Sequence, residues 1–212
     1  MAAIAVLGTL GTQSPIVAGD AASTARNIVE GRLLFQLGVI GWLFVAILDV
    51  VVALALYIVL RPVNRYLSLL AAWFRLVYAA VFIVSAANLL LALRLLTDAA
   101  YAKSMGALLD AQAMLALDAF KNGWALGLVV FGVHLGLLGY LVYASGYIPK
   151  VLGVLLLLAA VGYLFANVGK ILAPELGGTM DAIAAAPAAI GEIAFAIWLL
   201  ARAARLPEGD AV

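Results

Sequence analysis

The sequence predicts an all-α fold, a polytopic bundle of transmembrane helices. Of its 212 residues, 67% are hydrophobic and only 11% are charged, and the mean hydropathy is +1.19. Soluble domains are about 45–50% apolar and about 25% charged. A water-soluble fold of this length could not hide so much apolar surface, so the expected solvent is the hydrocarbon of a bilayer.

Five apolar stretches reach the length of about 20 residues that a helix needs to cross a bilayer. They cover about 33–60, 67–93, 124–144, 151–172 and 183–201. The first ends at Arg61-Pro62, the third at a Ser-Gly-Tyr-Ile-Pro turn, and the fourth before Pro174, and each of these patterns favours the end of a helix. The whole chain, 1–212, is therefore predicted to be a single transmembrane helical domain.

Two further regions do not fit a full span. The segment MAAIAVLGTLG is apolar but about half the required length, and it lacks the basic start and cleavage site of a signal peptide. It is interpreted as a short helix in the outer half of the bundle, a half-span that a late start codon or a shortened sequence would explain. The stretch 94–123 is too polar for lipid but has helical periodicity, so it is expected to be a surface amphipathic helix joined to the next span.

Basic residues in short loops predict the orientation, because they favour the cytoplasmic side. They place the loop 61–66, the loop 145–150 and the C-terminus in the cytoplasm of a bacterial inner membrane; the residues are Arg61, Arg65, Lys150, Arg202 and Arg205. Tryptophan is enriched at membrane interfaces. The four tryptophans are therefore expected to face lipid or the interface: Trp42, Trp73, Trp124 and Trp198.

Composition also excludes several function classes. A net charge of +1 gives no reason to expect nucleic acid as a partner, and the absence of cysteine excludes disulfides and thiolate chemistry. One histidine excludes a multi-histidine metal site. The sequence identifies no metal site, cofactor or nucleotide motif. Its expected partners are the lipid bilayer and a small-molecule or ion ligand, and it leaves oligomeric state open.

Four ionisable side chains lie deep in four different predicted spans: Asp49, Arg75, His134 and Glu192. At 1.5 Å per residue, each is about 15–18 Å from the nearest predicted cytoplasmic end. The hydrocarbon core is about 30 Å thick, so all four reach a similar level near its middle. Charges there are costly unless they face one another. Arg75, which lies within LLAAWFRLVYAAVFIV, is therefore expected to face Asp49, Glu192 or both, with His134 lining the same site.

Several stretches resemble a known family. They include PIVAGDAASTARNI, LDVVVALALYIVLRPVNR, AAWFRLVYAA, IGEIAFAIWLLAR and, most specifically, HLGLLGYLVYASGYIPK. Together they are similar to the uncharacterised bacterial integral membrane proteins of domain of unknown function 4386. The resemblance implies six spans, of which this chain would lack part of the first. It also implies that Asp49, Arg75, His134 and Glu192 occupy recurring positions, but it implies no activity.

Three functions remain open from the sequence. The leading hypothesis is a protein that binds a small molecule or ion at the polar mid-bilayer site, with transport of that ligand left open. The second is an intramembrane enzyme acting on a lipid or quinone, with Glu192 or Asp49 as general base and His134 as proton shuttle. The third is a non-catalytic membrane partner, in which the charges form a structural network and His134 is a hydrogen-bonded packing residue. The chain is not assigned as an enzyme or a non-enzyme, and the ligand is not identified.

Overall fold

The computed structural model describes residues 2–202, except the side chains of residues 2, 3, 174 and 186–188. These residues form helices and turns, and no strand occurs among them. The helices are α1 (Ala2–Gln13), α2 (Ala21–Glu30), α3 (Arg32–Leu60), α4 (Arg65–Thr97), α5 (Ala99–Met105), α6 (Leu109–Ala144), α7 (Lys150–Leu172) and α8 (Gly177–Arg202). Short 3-10 turns precede α6 and α8.

Five helical segments are long and apolar enough to cross a membrane, and the short apolar helix α1 precedes them. The predicted all-α membrane bundle is therefore confirmed. The main difference lies in the third span, which belongs to a helix that begins at Leu109 rather than near 124. The acidic and basic residues of this segment share a helix with a buried stripe that includes Ala113, Leu117 and Phe120. The predicted continuity of the segment 94–123 with the next span is thus observed from Leu109 onward, whereas its first part is divided between the end of α4, α5 and a 3-10 turn.

Contacts within the chain define two compact units, and α3, α4 and α6 each contribute a segment to both. The first unit comprises Met1–Leu48 and Ala80–Trp124. In it, the backbones of α1 and α3 are in close contact. A Cβ atom on Gly11 would lie only 2.7 Å from the Cα of Gly38, so this contact requires glycine. The indole N–H of Trp42 donates a hydrogen bond of 3.0 Å to buried Thr12. The short N-terminal helix is thus anchored by small residues and one polar contact.

One of the expected interfacial tryptophans, Trp42, is instead packed inside this first unit. Trp42 is buried and lies 5.2 Å from Trp124 between ring centroids. Both rings also contact Phe82, and Trp124 contacts Phe120. The lipid-facing or interfacial interpretation of Trp42 was wrong, because edge-to-face aromatic packing can bury an indole ring that hydropathy alone would place at the surface, whereas Trp124 is half-buried. Trp73, by contrast, is exposed.

Helix α2 was not predicted from the sequence. Asp20 caps its N-terminus by accepting a hydrogen bond of 2.9 Å from the backbone N–H of Ser23. Hydrogen bonds from Ser23 lower the pKa of Asp20, since they favour the ionised carboxylate. One face of the helix buries Thr24, Ala25 and Ile28. The capping aspartate followed by this apolar spacing is the signal that could have revealed the helix.

The second unit comprises Asp49–Ala79 and Ala125–Val212. Its helices are joined by short turns, and glycines bring them into close contact. A Cβ atom on Gly153 of α7 would lie 2.6 Å from the backbone nitrogen of Tyr143 and 2.8 Å from the backbone oxygen of Gly139, both on α6. On the other side of α7, a Cβ atom on Gly191 of α8 would lie 2.8 Å from the backbone oxygen of Leu155. Small residues therefore hold α6, α7 and α8 together.

Candidate functional site

Arg75 forms a buried salt bridge with Asp49 in the second unit. Its Nη2 atom donates to Asp49 Oδ1 at 2.5 Å, joining α4 to α3. Arg75 is 8% exposed and Asp49 is 1% exposed. The arginine on α4 can reach the aspartate on α3 because the tight turn at 61–64 folds these two helices back against each other. The two opposite charges thus compensate each other in the buried interior, where either charge alone would be costly.

His134 of α6 completes this group and is held in one neutral tautomer. Its Nδ1 atom lies 2.8 Å from the backbone oxygen of Ala71, and its Nε2 atom lies 3.2 Å from Arg75 Nη1. A carbonyl oxygen only accepts and a guanidinium only donates. Nδ1 must therefore donate and Nε2 must accept, so the ring carries its single proton on Nδ1. We call this arrangement of Asp49, Arg75 and His134 the arginine triad.

Two buried atoms of the triad have no hydrogen-bond partner among the described residues, Asp49 Oδ2 and Arg75 Nε. In a guanidinium, Nε–H and one Nη2–H point along the same edge and can bind both oxygens of a carboxylate. These two atoms can therefore satisfy each other and do not by themselves require a ligand.

Phe131 links the triad to aromatic residues of the same unit. The guanidinium carbon of Arg75 lies 5.4 Å from the centroid of the Phe131 ring, within the range of a cation–π interaction. The same ring contacts Tyr78 and His134 and meets Tyr163 of α7 edge-on, with centroids 5.4 Å apart. The charge of Arg75 is thus enclosed by a carboxylate, an imidazole and an aromatic face.

Glu192 lies on α8 and is bonded to a different partner. The hydroxyl of Tyr163 donates a hydrogen bond of 2.8 Å to Glu192 Oε1. The two residues can meet because α8 lies directly on α7 at Gly191, and because Ala184 lies 3.5 Å from where a Cβ atom on Gly162 would be. Glu192 is only partly buried. Its observed hydrogen bond comes from a neutral phenol rather than from a cation.

Three of the four residues singled out in the sequence therefore meet in one hydrogen-bonded group, and the expected pairing of Arg75 with Asp49 is present. Of the two carboxylates that Arg75 was expected to face, one or both, it bonds to Asp49, and it is connected to Glu192 through the aromatic rings of Phe131 and Tyr163. A role of the four residues in ligand binding stays a prediction. Sequence reasoning missed Tyr163, although counting from Lys150 places it about 20 Å deep, close to the level of the four ionisable residues.

No group of three or more histidine, aspartate or glutamate side chains that could hold a metal ion occurs in the part of the chain that the structure describes. The polar atoms available at the site are those of the arginine triad, Tyr163 and Glu192. Their chemistry is that of ion pairing, hydrogen bonding and proton exchange.

Five membrane-length apolar helices and a set of buried ionisable side chains define a polytopic α-helical membrane protein. The model of the family described as domain of unknown function 4386 (DUF4386) matches residues 1–203, and the chain belongs to this family. An uncharacterised protein of Archaeoglobus fulgidus is 37% identical over 172 residues, which cover 80% of this chain and 86% of the relative. No solved structure matches the chain.

Proposed function

We propose that the protein is a membrane transporter that binds a small cation, either an ion or a small molecule, at the polar site formed by the arginine triad and Glu192. The observation that supports this proposal is the number of carboxyl groups. The site contains two carboxyl groups, Asp49 and Glu192, but one guanidinium. A cation bound beside the second carboxylate would balance the charge.

The arginine triad is electrically complete without a ligand. The charges of Asp49 and Arg75 cancel, and His134 is neutral in the tautomer that its neighbours require. An ionised Glu192 would add one uncompensated negative charge in apolar surroundings, which is costly. The triad therefore serves as a scaffold that holds α3, α4 and α6 together, and Glu192 is the group left to bind a ligand.

Transient electrical currents across a supported membrane test this proposal. Proteoliposomes containing the full chain would be exposed to rapid jumps in Na⁺, K⁺, methylammonium or pH. We expect at least one jump to produce a current, and we expect Glu192→Gln to reduce it at least about tenfold, equivalent to about 1.4 kcal/mol. The substitution keeps the shape of the side chain and an oxygen that accepts from Tyr163, so folding should persist.

Glu175→Gln is the matched control, because it is the same substitution at an exposed residue on the 3-10 turn before α8. It should leave the current unchanged. If none of the four jumps produced a current that depended on Glu192, the transport proposal would be wrong.

We further propose that the C-terminus is cytoplasmic in a plasma membrane. The argument is that basic residues flank the 61–64 turn and stand at the start of α7 and the end of α8; they are Arg61, Arg65, Lys150 and Arg202. Fusions at 61–64 and after Arg202 should be active with a reporter that works only in the cytoplasm and inactive with a reporter that works only outside it. A fusion after Leu176, in the turn between α7 and α8, should report the opposite side. A periplasmic signal from the fusion at 61–64 or from the fusion after Arg202 would overturn this orientation.

A further inference from the structure

We propose that the cation bound at this site is a proton and that Glu192 is the residue that carries it. This inference rests on the proposed function, and it names the substrate of the same site. It follows from asking which of the ionisable groups can gain and lose a proton without breaking the arrangement around it.

His134 cannot do so in the observed geometry. Both ring nitrogens are engaged, Nδ1 with the backbone oxygen of Ala71 and Nε2 with the guanidinium of Arg75. A second proton would have to bind at Nε2, where an N–H would then point at another donor and a positive charge would face a positive charge. Protonation of His134 therefore requires the triad to come apart.

Asp49 is held in its ionised form by its partner. Protonating it would leave the guanidinium of Arg75 buried without a counter-charge, and unpaired buried charges are strongly destabilising. Neither Asp49 nor His134 can therefore exchange a proton at low cost while the triad is intact.

Glu192 differs because its partner is neutral. The hydroxyl of Tyr163 donates to Oε1 and can keep doing so whether Oε2 is protonated or not. Gain or loss of a proton then changes the charge of the site by one unit without moving α7 or α8. A metal cation, by contrast, needs several oxygen ligands, and no three histidine, aspartate or glutamate side chains among the described residues are arranged to hold one.

The groups facing Glu192 are consistent with this assignment. The titratable residues that interact with it are Tyr163 of α7, Arg75 of α4 and Asp49 of α3. Tyr78 of α4 interacts with Tyr163. The charges of Arg75 and Asp49 oppose each other, and both tyrosines are neutral. Glu192 thus lies beside an ion pair with no net charge and accepts a hydrogen bond from a neutral hydroxyl.

Labelling with dicyclohexylcarbodiimide provides a direct test. This apolar reagent adds to a protonated carboxyl group, which gives up its proton to the carbodiimide nitrogen, and the product rearranges to a stable N-acylurea with no leaving group. In the purified full chain we expect one adduct on Glu192, found by peptide mass mapping. Its rate of formation should fall as the pH rises, because the ionised form does not react. Asp49 should remain unlabelled.

Three variants sharpen the result. Glu192→Gln should lose the adduct, whereas Glu175→Gln should retain it. Tyr163→Phe should keep the adduct and extend labelling to higher pH, because the ionised carboxylate loses its donor. The absence of a Glu192 adduct at every pH, or labelling that does not depend on pH, would overturn the assignment.

The current measurements separate this inference from the function on which it rests. Currents that depend on Glu192 and follow pH jumps, with none from Na⁺, K⁺ or methylammonium at constant pH, support both. Currents from one of those three cations, with none from pH jumps, would support the transport proposal and refute the inference that the transported cation is a proton. Labelling of Glu192 that depends on pH, without any current, would support proton binding and refute transport.

Discussion

Arg75→Ala is expected to destabilise the folded protein by about 3–5 kcal/mol, the typical cost of removing one partner of a buried ion pair. The substitution leaves Asp49, which is 1% exposed, as a charged group without its partner. It also removes the donor to His134 Nε2 and the cation that lies over Phe131. Unfolding of the purified protein in mixed micelles of increasing denaturing detergent, followed by circular dichroism, would measure the loss.

The exposed pair of Lys121 and Asp118, separated by 3.7 Å, gives the control. Lys121→Ala should cost no more than about 0.5 kcal/mol, because surface ion pairs contribute little. Adding Asp49→Ala to Arg75→Ala should recover part of the loss, since it removes the stranded carboxylate. Equal stabilities of Arg75→Ala and Lys121→Ala would show that the triad does not hold the bundle together.

Gly153→Ala is expected to be the other strongly destabilising change, at about 1–3 kcal/mol, the usual range for overpacking. The added methyl group would meet backbone atoms of α6 at 2.6 and 2.8 Å. Backbone cannot rotate away as a side chain can, so α7 would have to move as a whole. The same detergent titration would detect the loss.

Gly178→Ala provides the comparison, because a Cβ atom there would have no neighbour within 4 Å. At this helical position alanine should be neutral or stabilising by up to about 1 kcal/mol. If Gly153→Ala were as stable as Gly178→Ala, the close approach of α6 and α7 would be incorrect.

The spans were predictable because the thickness of a bilayer fixes the length of an apolar helix. Helix α7, observed at Lys150–Leu172, differs from the predicted 151–172 by one residue. Helix α6 differs more, because an apolar stretch read from hydropathy ends at the first charged residues. The helix itself continues as long as one of its faces can be buried, as the face with Ala113 and Phe120 is. The inward rotation of Trp42 could not be predicted, since a nearly uniform apolar helix gives no signal of which face turns inward.

The polar site was partly predictable for a related reason. Charges such as Arg75 stand out in an apolar span, and counting residues gives their depth. The choice of partner depends on how each helix is rotated about its own axis, and counting residues along the chain does not supply that rotation. Tyr163 did not stand out because an aromatic ring is ordinary in a span, yet its hydroxyl is the group bonded to Glu192.

His134 also limits how the helices can move. Ala71 and Arg75 are four residues apart on α4, so the imidazole of His134 forms hydrogen bonds to residues about one helical turn apart. Sliding α4 past α6 by one turn, about 5.4 Å, or rotating it in place would break both bonds together. The imidazole thus fixes the position of α4 along and around its own axis relative to α6. A movement that leaves these two hydrogen bonds intact must therefore keep α4 in its present register against α6 around Ala71 and Arg75.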